Sequence, residues 1–272
     1  MPYDLIKEVL LTPPFTTAEP VLFWCVAIAA VLLMSVAKSG FGGAIASMSA
    51  PLMLLVLPPR ETLAILLPLY LLTDMWTIWI WRGYCYWRVL FWMVLFAIIG
   101  QIVGYAFISI INDTMLKILI WIIALLTGGR YWYRLKMPQQ NTLPVTEKRE
   151  VRQKVPSRAS IWCGLSGFSS FISLTGGIPM QFFLLPMQMH RFIVVGTSAW
   201  YFLTINIAKL PFFFDLGLFR FSGLMVSLAL VPVIPLGVML GKWLNRRIND
   251  RIFYHFAHAA LLLLGLRLVV GY

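Results

Sequence analysis

The chain is a succession of long apolar stretches separated by short breaks of Gly, Pro or charge. In the first half, apolar residues run from Pro20 to Ala37, Ala44 to Leu57, Glu61 to Trp81, Trp87 to Ile110 and Met115 to Leu135. In the second they run from Ser160 to Ser173, Ile178 to Met187, Phe192 to Phe214, Phe219 to Leu244 and Ile252 to Val270. Between the two sets lies a polar stretch with three prolines and the basic residues Lys148, Arg149, Arg152 and Lys154. Apolar runs near the length of a bilayer crossing predict transmembrane helices. The pattern therefore divides the chain into a first transmembrane repeat over 1–135, a cytoplasmic basic loop over 136–158 and a second transmembrane repeat over 159–272.

Composition narrows the class further. Hydrophobic residues make up 60% of the chain and charged ones 12%, against about 45–50% and about 25% in soluble domains, and the 15% aromatic content excludes disorder. The net charge of +12 reads as a topology signal. Alternating outward from the central loop puts fifteen Lys and Arg on its side and six on the other, which places both termini outside. With five elements per half, the halves enter the membrane from opposite sides. The expectation is an all-α polytopic protein of two inverted-topology helical repeats, with about 8 to 10 membrane segments. No basic stripe interleaved with aromatics suggests nucleic acid as a partner, and the first twenty residues do not read as a cleaved signal peptide. Cys25, Cys85 and Cys163 form no CxxC and are expected to be inert buried thiols, and neither His255 nor His258 lies in a metal-binding pattern, so no cofactor or metal is called for.

The repeat is also visible in the letters. Ser39-Gly40-Phe41 recurs as Ser166-Gly167-Phe168, each followed by small residues and then Pro51 or Pro179; Thr73 matches Thr204, and Gly100-x-x-x-Gly104 matches Gly237-x-x-x-Gly241. The two GxxxG runs are expected to pack helices closely. Glycine and proline in Lys38–Pro51 and Ser166–Pro179 predict unwound segments at membrane depth, tolerated only where protein or a lined cavity satisfies the backbone. Two equal passes over Ser160–Met187 would each be about 20 Å, so a broken or re-entrant hairpin is expected there. Helix N-termini brought together near the midplane would favour an anion.

Ionisable and amide residues inside the spans are functional candidates. Asp74 lies deep in its element, Lys38 opens the first Gly-rich run, and Asn206 and Lys209 share a helix face. Asp74 can carry a coupling proton or neutralise Lys38 or Lys209, Lys209 can instead snorkel outward, and Thr197 and Ser198 can line the site. Trp76, Trp79, Trp81, Trp87 and Trp92 read as an interfacial belt.

These residues together resemble the sulfite exporter TauE/SafE family of bacterial membrane transporters. The similar stretches are Lys38-Ser39-Gly40-Phe41-Gly42-Gly43 with Pro51, Pro58-Pro59-Arg60-Glu61 and Asp74, then Gly167-Phe168, Gly176-Gly177-Ile178-Pro179, Gly196-Thr197-Ser198 and Asn206-x-x-Lys209-Leu210-Pro211. Ala44, Ile45 and Ile178 depart from the family pattern, which bears on substrate subtype. The resemblance implies a secondary transporter in a bacterial inner membrane, exporting sulfite or organosulfonates such as sulfoacetate by alternating access, with membrane lipids as its surroundings and a homo-oligomer left open. It implies a substrate site at Lys38, Ser39, Gly42, Gly43, Ser170, Gly176, Gly177, Thr197, Ser198, Asn206 and Lys209, with backbone N–H groups near the glycines holding the anion and Asp74 coupling or pairing. The alternative is an intramembrane hydrolase. Gly164-Leu165-Ser166-Gly167 is similar to the nucleophile string of rhomboid-type serine proteases, with His258 as base. Against it, Ser166-Gly167 has a counterpart in Ser39-Gly40, in a half with no histidine.

Overall fold

The computed structural model describes residues 19–43, 45–108, 155–184, 187 and 189–247. Among them the chain is helical, with no strand. Helix α1 spans Pro20–Phe41, a 3-10 turn spans Ile45–Met48 and a short α2 spans Ser49–Met53. Then come α3 over Pro59–Ile80 and α4 over Trp87–Ile108. The second half supplies α5 (Val155–Ser173), α6 (Gly177–Leu184), α7 (Arg191–Asp215), α8 (Phe221–Leu230) and α9 (Val233–Arg247). The apolar stretches Met115–Leu135 and Ile252–Val270, with His255 and His258 and most of the basic loop, lie outside the described residues.

The helix boundaries follow local chemistry. Prolines stand in the first turns of α1 and α3, where a missing N–H costs nothing, and Glu61 sits in the first turn of α3, near its positive end. Helix α1 stops at Gly42, whose φ of 69° is left-handed, and Gly43 follows at 93°. Between α8 and α9, Pro232 interrupts the backbone ladder and the pair bends by 46°. Helix α5 begins earlier than the apolar pattern predicts. Pro156 occupies its first turn and draws Ser157 and Arg158 of the polar stretch into the helix. The hairpin around Gly176 is thus broken into unequal legs of 19 and 8 residues. The shorter leg, about 12 Å, is far from a crossing.

Among the described residues four helices are long and apolar enough to span a bilayer, α1, α3, α4 and most of α7, and the bent α8–α9 pair makes a fifth if it counts as one span. They pack in a reciprocal way. First-half α1 lies along second-half α9, first-half α4 lies along second-half α5, and α3 lies against α7. Glycine makes both seams. A Cβ on Gly100 would stand 2.0 Å from the Gly164 carbonyl oxygen, one on Gly167 2.0 Å from that of Ala97, and one on Gly241 2.1 Å from Ser39 Oγ. The two GxxxG runs are packing seams, as expected, and their partners are the two Ser-Gly-Phe segments. Cys163 is buried as expected, but Cys25 is exposed, because α1 buries its other face, through Phe23, Ala27, Ala30 and Val31.

Candidate functional site

Helix α3 carries the fully buried Asp74 and α7 the fully buried Asn206 and Lys209, and the contact between the helices brings these groups into one row. Lys38 at the end of α1 donates to both Asp74 carboxylate oxygens, at 2.7 and 2.6 Å. Asp74 Oδ2 also accepts from Asn206 Nδ2 at 3.0 Å. Asn206 turns its Oδ1 the other way and accepts from Lys209 Nζ at 2.9 Å, and Lys209 donates again to Ser170 Oγ at 2.7 Å. All five residues are buried, Asp74, Asn206 and Lys209 completely. Lys209 therefore does not snorkel outward; Asn206, one turn before it, and Ser170 on α5 hold its ammonium inside.

The two ammonium groups have different surroundings. Lys38 Nζ lies 4.1 Å from the centroid of the Tyr70 ring and 5.0 Å from that of Phe202, besides its carboxylate. Among the described residues Lys209 has only neutral oxygens as hydrogen-bond partners, and they engage two of its three donors. If every group holds its ordinary charge, the row of two lysines and one aspartate has a surplus of one positive charge.

The breaks of the two halves meet beside this row, where the turn at Ile45–Met48 touches α6. Gln181 on α6 donates to the Phe41 carbonyl at 2.6 Å, and a Cβ on Gly42 would lie 3.1 Å from Ser198 Oγ and 3.6 Å from Gln181 Nε2. Gly43 lies under the Phe202 ring, where a Cβ would come within 2.7 Å of a ring carbon. The N–H groups of Gly42 and Gly43 turn back to the Ala37 carbonyl and close α1, so they do not point into a ligand site. In the second half the break comes at Leu174, left-handed at φ 57°, a costly conformation for a leucine. Gly176 packs on Ser166 and Ser170, with no room for a side chain, and Gly177 opens α6.

Two of the sequence candidates serve elsewhere. Thr197 Oγ1 accepts from the Tyr86 amide at 3.0 Å and so pins the α3–α4 connection. In that connection Cys85 is only half-buried, not buried as expected, and burial pushes its thiol up from its ordinary value. Ser39 Oγ donates to the Ser35 and Val238 carbonyls at 2.8 and 3.0 Å, on the seam with α9. Trp81 is also not in an interfacial belt, although Trp76, Trp79 and Trp87 are exposed. It is buried, stacks on Phe192, and donates to the Ser39 carbonyl at 2.9 Å. Gln181, Tyr70, Tyr201 and Phe202 were not singled out from the sequence. Gln181 had one usable signal, a lone amide inside an apolar run.

Ser166 does not have the surroundings of a nucleophile. Its hydroxyl donates to the Gly176 carbonyl at 2.6 Å and accepts from Tyr201 at 2.8 Å, and His258 lies outside the described residues. Among the described residues no group of His, Cys, Asp and Glu could hold a metal ion.

No curated protein and no solved structure matches the chain. The family model described as "Sulfite exporter TauE/SafE" matches residues 27–268. That match takes in every residue of the buried row and both glycine seams, and the chain belongs to the sulfite exporter TauE/SafE family.

Proposed function

We propose that the protein is a secondary transporter that exports small sulfur oxyanions, sulfite or an organosulfonate such as sulfoacetate, across a bacterial inner membrane. Membership of the family implies a membrane transporter of sulfite-type anions rather than an enzyme. The single observation that carries the substrate class is Lys209, an ammonium fully buried among neutral oxygens. An unpaired buried charge is costly, and a small anion relieves that cost. A sulfite-type anion offers several acceptor oxygens around one centre, suited to a lysine with a donor to spare and to the hydroxyl of Ser170. Ser198 and Gln181, beside the first break, are further polar contacts on this reading.

Asp74 neutralises Lys38 in this proposal, the second of the two roles its position allows. The two halves act as inverted repeats of 8 to 10 segments in all, and they alternate access around the α3–α7 contact. The matched seams support this, because each half contributes the same kind of helix to the other. Labelled sulfite and sulfoacetate flux in proteoliposomes, with and without a pH gradient, tests the reading. Saturable flux that is lost in Lys209→Met is expected. Folded protein that moves neither anion above the empty-liposome background overturns it, and a gradient dependence would return proton coupling to Asp74.

A further inference from the structure

Two buried tyrosines stand on the same helices as the polar row without belonging to it as hydrogen-bonding members. Tyr70 on α3 and Tyr201 on α7 are 131 residues apart, the separation that also relates Thr73 to Thr204. Each reaches a break. The Tyr70 hydroxyl donates to the Ala46 carbonyl at 2.8 Å and lies 2.8 Å from Ser49 Oγ, which reaches the same carbonyl at 2.7 Å. These oxygens belong to the segment just past Gly42 and Gly43. The Tyr201 hydroxyl donates to Ser166 Oγ, which passes a hydrogen bond on to the Gly176 carbonyl, just past Leu174.

The spacing along the helices links these bonds to the row. Tyr70 is one turn before Asp74, Tyr201 about two turns before Lys209, and Ser166 one turn before Ser170. Carbonyls where a helix breaks inside a membrane take their donors from the protein; that of Gly176 accepts the Met180 amide at 3.3 Å besides the Ser166 hydroxyl at 2.6 Å. A tyrosine hydroxyl at the end of a rigid ring supplies a donor at a set distance, which a phenylalanine of the same shape would not.

We propose that Tyr70 and Tyr201 are paired positioning residues, each holding the broken segment of its own half against the helix that carries Asp74 or Lys209. In the second half this keeps Ser170 beside Lys209, a consequence that rests on reading Lys209 as the anion's partner. The serine of the GxSG string is then the middle member of a clamp.

Hydrogen exchange read by mass spectrometry on Tyr70→Phe, Tyr201→Phe and Ser166→Ala tests the clamps without any substrate. Tyr70→Phe is expected to speed exchange about fivefold over residues 45–53 and leave 176–184 unchanged, and Tyr201→Phe to do the reverse. Ser166→Ala is expected to match Tyr201→Phe. Unchanged exchange, or an equal rise in both segments, overturns the clamps. In proteoliposomes, Tyr201→Phe is expected to raise the KM for sulfite about fivefold at unchanged maximal flux. An unchanged KM in a protein whose wild type transports sulfite overturns the positioning role at the anion. A wild type without sulfite flux instead sinks the transport reading, and the segment-specific exchange pattern still decides the clamps.

Discussion

The two ends of the buried row hold the same chemical group in opposite circumstances. Lys38 has both oxygens of a carboxylate and two aromatic faces. Lys209 has an amide oxygen and a hydroxyl. Asn206 joins the ends without equalising them, since its amide donates to Asp74 and accepts from Lys209 but carries no charge. With every group at its ordinary charge, the carboxylate balances the lysine of the first half and the surplus positive charge falls on the lysine of the second. In a low-dielectric interior that difference separates a structural ion pair from a site that favours an anion.

The largest effect should come from breaking the closed end. Asp74→Ala leaves two buried ammonium groups without a counter-charge and should cost about 3–5 kcal/mol of stability, read as a lowered unfolding temperature in detergent. Lys209→Met should do the opposite to the fold, leaving stability unchanged or raised, while weakening sulfite binding by about 1.5–3 kcal/mol, the value of hydrogen bonds to a charged group. Isothermal titration beside the melting curve checks both halves of that statement, and a Lys209→Met protein as unstable as Asp74→Ala would abolish the distinction between the ends. Phe202→Leu removes one of the two rings near Lys38 and should cost about 1 kcal/mol of stability, including the lost cation–π contact, with little change in anion affinity. The smallest effect belongs to Arg220→Gln. Its bond to Glu61 at 3.3 Å is largely exposed at the arginine, and such pairs contribute at most about 1 kcal/mol, so melting should shift little and less still in high salt.

Much of this arrangement was readable from the letters. The breaks were expected where Gly42, Gly43 and the Leu174–Gly177 segment place them, because glycine and proline act through the local backbone. The GxxxG runs were legible as packing for the same local reason, and Lys38, Asp74, Asn206 and Lys209 stood out because ionisable and amide groups are rare in apolar spans. The assignments that failed depended on partners distant in the chain. Trp81 looked like its neighbours in the tryptophan cluster until the carbonyl of Ser39 took its N–H. Thr197 lay close enough to Asn206 to suggest a shared site, but it faces the backbone of Tyr86. The amides of Gly42 and Gly43 differ in that a local partner takes them, since the left-handed turn there folds both back onto the Ala37 carbonyl of α1.

The sequence by itself determined the membrane class, the position of each Gly-rich break and the candidates Lys38, Asp74, Asn206 and Lys209, since hydropathy, backbone freedom and the cost of charge in hydrocarbon act residue by residue. Only the tertiary structure decided which lysine Asp74 neutralises. Both lysines connect to it, Lys38 directly and Lys209 through Asn206, and the choice came from how α1, α3 and α7 cross. A hydrogen bond needs its heavy atoms within about 3 Å, so which lysine touches the carboxylate directly is a property of that crossing.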